Sequence, residues 1–487
     1  MKFMSKPSKP IFLALMVFVE ILQFLNNSPA QSLEIKVKIE GSEAKVSGRI
    51  VDAPEGTGFR DLEFTDSVAG QSGYALRVSA LKFSNSEEIW DGVRVARDRY
   101  RSGENGFVSF EYVMDLRPPG LASMAHASWI DGERGVLAPA DLFPSVTANL
   151  PVNADFELPA GWKFAFGIPK KIRINDPQRE FYFISKNPRE SEVAGGVANV
   201  AVDGEFKFTD ADAAKMVAEI IGQYRSVFGG MPREKIKVII ARFPDDAREG
   251  RFEAETRGST VLIMSADLTN ASQSAQRLHA QLRHELFHLW VPNALELDGA
   301  YDWFYEGFAL YQSLRTAVAL NRIRFEDFLG TLGRAYDADS KIVTRHSLID
   351  ASRDRWSGFN TRVYARGMLV GFLIDVEMLA RSKGKRSISD LLRTIWKEHG
   401  SGSKRADGNE AVIAAIEKYS ELKPVVSSYI RGSDPIEWRT ALAAAGIEAV
   451  SDGSNTVLRA TAAPTKSQKV LLDKLGYNNW RNFLKKS

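Results

Sequence analysis

The sequence predicts an α+β protein of more than one domain, with an N-terminal antiparallel β domain and a mostly helical C-terminal half. Three observations lead to this prediction. The chain has 487 residues, enough for about two to four domains. It is 44% hydrophobic and 26% charged, as in ordinary globular proteins. Alternating apolar and polar residues recur before residue 210, whereas helical periodicity dominates from residue 271 to about residue 447.

The first thirty residues have the pattern of a secretory signal peptide. Three lysines within MKFMSKPSK precede the apolar run Ile11–Leu25, and small residues follow in NNSPA. We therefore expect residues 1–30 to be removed and the protein to be exported, either periplasmic or secreted. The alternative is a membrane anchor that stays uncleaved. The run is short and contains Glu20, and no later stretch reaches about 18 apolar residues, so no stable membrane span is expected after cleavage.

Period-two alternation predicts the N-terminal β domain at residues 31–150. It appears in LEIKVKIE at 33–40, in AKVSGRIV after the turn at Gly41, and in FVSFEYVM at 107–114. Turn residues separate these runs, as expected for antiparallel strands.

A second region is predicted over residues 151–450, β-rich at 151–270 and helical at 271–450. Its strand signals are FYFIS, IKVIIARF and TVLIMS, and a helix is expected from Asp210 to Phe228 with Asp210 as its N-cap. Residues 451–487 form a basic tail with a short strand signal, NTVLRATA, and one helix. This tail holds seven basic and two acidic residues.

Charge and cysteine content exclude several function classes. The net charge is +3, and because the two termini are basic, the body of the chain is slightly acidic. Nucleic acid is therefore not an expected partner, since neutralising phosphates requires a basic face. The chain has no cysteine, which excludes disulfides, thiolate metal sites and a cysteine nucleophile.

The segment QLRHELFHLWVPN carries the clearest chemical signal. His284 and His288 are four residues apart and Glu285 lies beside the first, which makes an HExxH motif. On a helix, residues four apart share one face, so two imidazoles can bind one Zn²⁺. Glu285 points to an adjacent face, where it can act as a base on a water molecule without binding the metal.

A catalytic zinc keeps three protein ligands, and Glu306 is the predicted third. It lies in the helical pattern DWFYEGFALYQSLRTAVAL, with 17 residues between His288 and Glu306. A solvated carboxylate would be unusual among Trp303, Tyr305 and Phe308, because a carboxylate in apolar surroundings requires a cation.

With these motifs the sequence resembles the gluzincin metallopeptidases and, more narrowly, the glycyl aminopeptidase family. The resemblance includes HELFHLW, WFYEGFALY, the later block VYARGMLVGFLIDVEMLARSKGKRSISDLLRTIW and, more weakly, DPIEWRTALAAAGIE. It covers about residues 230–450 well and implies a thermolysin-like zincin catalytic domain. Members of the family also have an N-terminal β domain and a C-terminal PDZ domain, but the tail here is too short for a PDZ domain.

The resemblance also implies roles for two further residues. Tyr364 matches the catalytic tyrosine of the family, and a neutral phenol can stabilise an oxyanion. Glu255 lies in a run similar to the family's Glu-His-Arg-Asn-Ser-Thr and would bind the α-ammonium group of a substrate. A solvated loop carboxylate is the alternative for Glu255, and Glu253 could take its role.

Two residues and one spacing depart from the family pattern. Thr256 replaces a histidine, Arg366 replaces a lysine and is expected to contact either substrate or a carboxylate, and the spacing from His288 to Glu306 is nearer that of alanyl aminopeptidases. The remaining histidines are expected to have structural or surface roles; they are His126, His279, His346 and His399.

Together these observations predict an exported zinc metallopeptidase, with one Zn²⁺ per chain, that removes N-terminal residues from peptides through a zinc-activated water. The substrate peptide is expected to extend along the TVLIMS strand. A zinc endopeptidase of the same fold and a catalytically silent peptide-binding protein are the alternatives. The sequence does not predict the oligomeric state.

Overall fold

The computed structural model describes residues 32–51, 60–85, 87–103, 106–120, 124–145, 150–193, 195–244, 247–453 and 455–480. The predicted signal peptide and the last residues of the basic tail lie outside these ranges. Among the described residues, no helix combines the length and the apolar character needed to cross a membrane.

A seven-stranded sheet dominates the N-terminal part. In spatial order its strands are Lys171–Ile174, Val152–Glu157, Ser32–Glu40, Glu43–Val51, Ser109–Asp115, Val78–Ser84 and Ile89–Asp91. Buried and exposed residues alternate along the first two strands of the chain, so the period-two signal in the sequence correctly predicted one face on a core and one in solvent. The predicted β architecture of this part is confirmed.

This sheet does not end at residue 150. The strand Val152–Glu157 pairs in parallel with Ser32–Glu40, and Lys171–Ile174 pairs with Val152–Glu157 in turn. A four-stranded sheet follows, with the order Trp129–Ile130, Arg134–Leu137, Tyr182–Ser185 and Lys163–Phe164. The division of the chain into domains remains a prediction.

The five-stranded sheet of the second region has the order Arg189–Val193, Ala198–Asp203, Ile236–Ala241, Thr260–Ser265 and Phe252–Arg257. Its three central strands are parallel and almost fully buried, as expected for strands covered on both faces. Phe252–Arg257 pairs antiparallel with Thr260–Ser265 and forms one edge of the sheet. We call this strand the edge strand.

The helix Asp210–Phe228 is present, but Asp210 is not its N-cap. Thr209 is the cap: its hydroxyl accepts a hydrogen bond from the Asp212 amide, and the Asp212 carboxylate accepts one from the Thr209 amide. This reciprocal capping box satisfies two amides that the helix leaves unpaired. The predicted N-cap was therefore wrong by one residue.

The C-terminal half is helical, as predicted. Its longer helices are Ala271–His288, Asp302–Ala319, Phe325–Ser340, Leu348–Arg353, Gly367–Arg381, Ile388–His399, Gly408–Glu417, Arg439–Ala445 and Lys466–Leu475. The hairpin Ile447–Asp452 and Asn455–Ala460 precedes the last helix. Leu458, Leu471 and Leu475 are buried in the same core as the preceding helices, so the described part of the tail packs on the helical half.

Shorter elements complete the described chain. The helical ones are Tyr74–Arg77, Pro139–Leu142, Ala165–Gly167, Pro177–Arg179, Arg355–Ser357, Arg362–Arg366, Ser420–Leu422, Lys423–Val425 and Val426–Arg431. The strands are Asp61–Glu63, Ser67–Val68, Gln71–Ser72, Val93–Arg94, Arg99–Arg101, Leu297–Asp298 and Ala406–Asp407.

Two helices of the C-terminal half cross at a pair of glycines. A Cβ atom on Gly307 would lie 2.5 Å from the Cα atom of Gly367, and a Cβ atom on Gly367 would lie 2.5 Å from the carbonyl oxygen of Trp303. Only glycine permits this approach of the two backbones. The crossing places the residues next to each glycine, Glu306 and the turn that contains Tyr364, close together.

Candidate active site

The HExxH motif lies on the last two turns of the helix Ala271–His288, which we call the HExxH helix. Leu278, Leu282 and Leu286 are fully buried and fix the rotation of this helix. His284 and His288 project from another face, and their Nε2 atoms are 3.1 Å apart. The sequence prediction of two imidazoles on one helix face is therefore met.

Glu306 completes a cluster of three possible metal ligands. It lies on the helix Asp302–Ala319, and its Oε2 atom is 3.2 Å from His284 Nε2 and 3.6 Å from His288 Nε2. One ligand atom from each residue falls within 4.8 Å of the others. Glu306 is buried and Oε2 has no hydrogen-bond partner. Two imidazoles and a buried oxygen that lacks a partner fit a Zn²⁺ ion.

Neighbouring groups orient two of these ligands. His288 Nδ1 lies 3.0 Å from the Val291 carbonyl oxygen, to which it can donate, and this contact leaves Nε2 for a metal. Glu306 Oε1 is 3.0 Å from Arg355 Nη1. Burial acts to raise the pKa of Glu306, but the adjacent imidazoles of His284 and His288 hold that pKa well below 4.5. Glu306 is thus ionised at neutral pH, the form that binds a cation.

Glu285 is held by the edge strand. The Thr256 hydroxyl lies 2.7 Å from Glu285 Oε2 and 3.1 Å from the Glu285 carbonyl oxygen. Asn293 also joins the edge strand to the HExxH helix. Its side-chain nitrogen, Nδ2, donates to the carbonyl oxygens of Thr256 and His288 at 3.3 and 3.0 Å. The predicted general base therefore sits between the predicted metal ligands and the edge of the sheet.

Tyr364 faces the same cluster from a third element. It belongs to the π-helical turn Arg362–Arg366, which leads into the helix Gly367–Arg381. Its ring centroid is 6.4 Å from that of His284. Burial, followed by the charge of Glu306, raises the pKa of Tyr364 far above 10. The phenol keeps its proton at neutral pH and can donate a hydrogen bond.

Glu255 lies on the edge strand and lines the same cleft, but its carboxylate already has partners. His126 Nδ1 is 2.7 Å from Oε2, and Arg257 Nε is 3.2 Å from Oε1. Burial acts to raise the pKa of Glu255, but the hydrogen bond from His126 and the charge of Arg257 lower it overall. A substrate ammonium group would therefore meet an ionised carboxylate whose charge is partly neutralised.

The alternative candidate, Glu253, has other contacts. Its carboxylate accepts hydrogen bonds from the Met124 amide at 2.6 Å and from Arg251 Nη2 at 2.9 Å. It is not among the described residues that line the cleft.

Two further predictions can be compared with the structure. Arg366 is buried and pairs with Asp339 at 3.0 Å, so a carboxylate, rather than substrate, is its partner in the structure. His279 is buried, and its Nε2 atom contacts Glu219 at 2.8 Å, in agreement with the structural role expected for it.

The predicted position of the substrate strand was wrong. Thr260–Ser265, the TVLIMS strand, pairs on both sides, with Ile236–Ala241 and with the edge strand. Its backbone hydrogen-bonding groups are therefore used within the sheet. Phe252–Arg257 lies at the edge of the sheet next to the cleft, and it carries Thr256 and Glu255 there.

The cleft has a volume of about 580 Å³ and is also lined by residues of the N-terminal part. A hairpin of the strands Ser67–Val68 and Gln71–Ser72 forms part of its wall. The turn of this hairpin packs closely against Trp356. Gly70 lies so near the indole ring that a Cβ atom added to it would be 3.1 Å from the ring. Part of the cleft wall thus comes from a segment far from the HExxH motif in sequence.

Sequence reasoning missed three residues of this site. His126 was expected to be structural or at the surface, yet it lines the cleft and binds Glu255. Arg355 and the contact of Thr256 with Glu285 carried no local signal, because their partners are distant along the chain or belong to another element. Only the side-chain contacts of the folded chain identify them.

Comparisons with known proteins give the fold a name. No protein-family model matches the chain, and no curated protein matches it. Among solved structures, an aminopeptidase N family protein from Idiomarina loihiensis superposes with a TM-score of 0.72 at 15% identity, over 86% of this chain and 79% of that one. A mutant of the M1 zinc metallopeptidase from Deinococcus radiodurans gives 0.51 at 16% identity, over 84% and 96%.

This chain has the fold of the aminopeptidase N family protein and the M1 zinc metallopeptidase. The predicted α+β multidomain fold class is confirmed, and the resemblance to gluzincin aminopeptidases is confirmed at the level of the fold. The narrower resemblance to glycyl aminopeptidases stays a prediction. At these identities the likeness establishes the fold, and the chemistry has to be argued from the residues of the cleft.

Proposed function

We propose that this chain is a zinc-dependent metallopeptidase that removes N-terminal residues from peptides. One observation carries the proposal: three separate helical elements and the edge strand bring the ligand cluster, Glu285 and Tyr364 to one cleft. The fold shared with two solved structures described as an aminopeptidase N family protein and an M1 zinc metallopeptidase supports it.

His284, His288 and Glu306 would hold one Zn²⁺. When bound, the ion supplies Lewis-acid polarisation of a carbonyl group and lowers the pKa of water. Glu285, held by Thr256, accepts the proton of the attacking water and passes it to the departing amine. Tyr364, which stays protonated, donates a hydrogen bond to the oxyanion that forms from the peptide carbonyl.

The substrate would lie against the edge strand. An extended peptide can add to a free sheet edge through backbone hydrogen bonds. Glu255 would bind the free N-terminus, at a fixed distance from the metal ligands. This arrangement would remove single residues from the N-terminus, because Glu255 would hold the substrate's first amine and leave no room in the cleft for residues that precede it.

The zinc endopeptidase is the second candidate, and one observation favours it. His126 and Arg257 partly neutralise Glu255, which reduces its attraction for an ammonium group. If these pairs persist when a peptide binds, the cleft would not select free N-termini, and internal bonds would be cut.

The Glu285→Gln variant tests the proposed chemistry. It keeps the shape of the side chain but removes its basicity, so zinc content should be unchanged while turnover falls by at least about a hundredfold. Activity near that of the unmodified protein would contradict the mechanism. A wild-type protein that binds zinc and peptides without cutting them would instead be the silent peptide-binding alternative.

Products from a mixed peptide pool, identified by mass spectrometry, separate the two peptidase candidates. Stepwise loss of N-terminal residues is expected from an aminopeptidase, whereas internal fragments are expected from an endopeptidase. Zinc determination on the same sample should give one equivalent per chain.

Export is a further part of the proposal. It rests on the lysines, the apolar run and the small residues of the first thirty positions. Cell fractionation with N-terminal sequencing of the mature protein tests it. A start near residue 31 in the exported fraction is expected, and full-length protein in the membrane fraction would favour the uncleaved anchor.

A further inference from the structure

We infer that Arg355 is a positioning residue for the proposed peptidase reaction. It orients the hydroxyl of Tyr364, and it determines which carboxylate oxygen of Glu306 faces the metal site. This inference rests on the proposed function. It concerns a residue outside the HExxH motif and outside the ligand cluster.

The guanidinium group of Arg355 lies at the centre of four side chains. Its Nη1 atom is 2.9 Å from Asp302 Oδ1 and 3.0 Å from Glu306 Oε1, and its Nη2 atom is 2.5 Å from Tyr364 Oη. The group also lies over the Trp356 ring, 4.6 Å from its centroid. The side chain is only 11% exposed.

The contact with Tyr364 determines where the phenol proton can point. A guanidinium group carries donors and no acceptor, so the Tyr364 oxygen must accept from Nη2. The single O–H of the phenol is then left to donate in another direction. Glu306, its hydrogen-bond partner, and the ring of His284 lie on that side, so the O–H points towards the ligand cluster, where an oxyanion would form.

The contact with Glu306 distinguishes its two oxygens. Oε1 pairs with Arg355, whereas Oε2 faces the two imidazoles and lacks a hydrogen-bond partner. Glu306 is therefore prepared to bind a metal through Oε2 alone. A paired carboxylate oxygen is less free to rotate towards the ion, as is typical of groups that orient metal ligands.

Arg355 is poorly placed to bind substrate itself. Nη1 is shared by two carboxylates, Nη2 is used by Tyr364, and Nε lies 3.4 Å from Asn360 Oδ1. Every nitrogen of the group therefore already contacts a protein oxygen. A substrate carbonyl would have to displace one of these contacts, so the residue acts through Tyr364 and Glu306.

Kinetics of the Arg355→Met variant test the first half of this inference. We expect kcat to fall by about ten- to a hundredfold with KM little changed. Arg353→Met is the matched control, because Arg353 is two residues away, largely exposed and paired only with Asp350 by the described ion pairs. The control should keep its activity, and both variants should show the circular dichroism spectrum of the wild type.

A double-mutant cycle shows whether Arg355 acts through Tyr364. Tyr364→Phe alone should lower kcat by about 10²–10³. In that background Arg355→Met should lower kcat by a smaller factor than it does in the wild type, because the hydroxyl it orients is gone and only its effect through Glu306 remains. If the two effects multiply, Arg355 does not act through Tyr364, and the inference is overturned.

Arg355→Lys separates position from charge. Lysine keeps the positive charge beside Glu306 but has no planar fork to reach Tyr364 as well. We expect kcat to remain low in this variant. Full recovery of kcat would show that charge alone suffices and would overturn the positioning of Tyr364.

Cobalt spectroscopy tests the Glu306 half without any activity measurement. The visible absorption of Co²⁺ bound in place of zinc weakens as its coordination number rises. In Arg355→Met, Oε1 of Glu306 would be free to bind the ion together with Oε2. The Co²⁺ absorption of this variant should therefore be weaker than that of the wild type and of Arg353→Met. Identical spectra would overturn the role of Arg355 in positioning Glu306. If the wild type lacks peptidase activity, the proposed function fails, while this spectral comparison still reports on Arg355.

Discussion

The Thr256 hydroxyl donates to Glu285 Oε2 at 2.7 Å, and so joins the edge strand to the proposed general base. A hydrogen bond to a charged group contributes about 1.5–3 kcal/mol. We expect Thr256→Val to lower kcat by about tenfold or more, because valine has the same shape without the hydroxyl. Thr256→Ser, which keeps the hydroxyl, is the control. Steady-state kinetics with unchanged zinc content provide the measurement, and a Val variant as active as Ser would contradict this role.

Removal of one metal ligand should remove the metal. His288→Ala leaves only His284 and Glu306, and two ligands do not hold zinc as three do. We expect zinc content and peptidase activity to be lost together, as measured by elemental analysis and peptide assays. His279→Ala, on the same helix but paired with Glu219, should retain zinc. Full zinc occupancy in the His288 variant would mean that the ligand assignment is wrong.

Selection of free N-termini should depend on Glu255. An acetylated substrate cannot pair with Glu255. Loss of a buried charge pair costs about 2–5 kcal/mol, and the lower end of this range applies here because His126 and Arg257 still pair with the carboxylate. N-acetylated peptides should therefore be cut at least about thirtyfold more slowly than free ones, and Glu255→Ala should abolish most of that difference. Equal rates on both peptides in the wild type would favour the endopeptidase. Discrimination that survives in the Ala variant would assign the amine to another group.

The pair of His126 with Glu255 should make stability depend on pH. Burial acts to lower the pKa of His126, but the hydrogen bond to Glu255 raises it above 6.5 overall. Because the pKa of His126 is higher in the folded state than in the unfolded state, the ion pair stabilises the fold fully below about pH 6.5. This stabilisation is lost as the pH rises through the folded-state pKa of His126. His126→Gln should lower the melting temperature more at pH 6 than at pH 9. Thermal unfolding at both pH values provides the test, and an equal decrease would refute the ion pair.

The glycine crossing should not tolerate a methyl group. A Cβ atom on Gly307 would meet backbone atoms of Gly367 at 2.5 Å, so Gly307→Ala has to push two helices apart. We expect a loss of about 1–3 kcal/mol in the free energy of unfolding, as for other overpacked sites. Gly330→Ala is the control, because its Cβ atom would meet only the flexible end of Arg334 at 3.6 Å. Urea denaturation should show no loss of stability for the control.

The sequence predicted those parts of the site that depend on spacing along one element. His284, His288 and Glu285 follow from helix periodicity, and Glu306 follows from a carboxylate among aromatic residues on the next helix. Arg355 and His126 could not be predicted in this way. Their carboxylate partners lie 49 or more positions away along the chain, and the contact of Arg355 with Tyr364 depends on how the chain between them folds. Their roles arise only when the elements pack.

The positions of the substrate strand and of the N-cap were predicted wrongly, although the sequence contains signals for both. TVLIMS is an unbroken apolar run, which is typical of an interior strand, whereas EAETR is polar, as expected for an edge. The order of the two strands in the sheet could have been inferred from that contrast. Thr209 and Asp212 likewise have the spacing of a capping box, which favours Thr209 over Asp210 as the N-cap.

The hairpin that reaches Trp356 matters for protein engineering. Ser67, Val68 and Ala69 line the cleft, yet they belong to a turn about two hundred positions before the HExxH motif in the printed sequence. A library randomised at these three residues, with Gly70 kept for its contact with Trp356, would change the shape of the cleft without altering the helices that carry the proposed catalytic groups. For the proposed peptidase, substrate range and catalytic power could therefore be varied in separate rounds of selection.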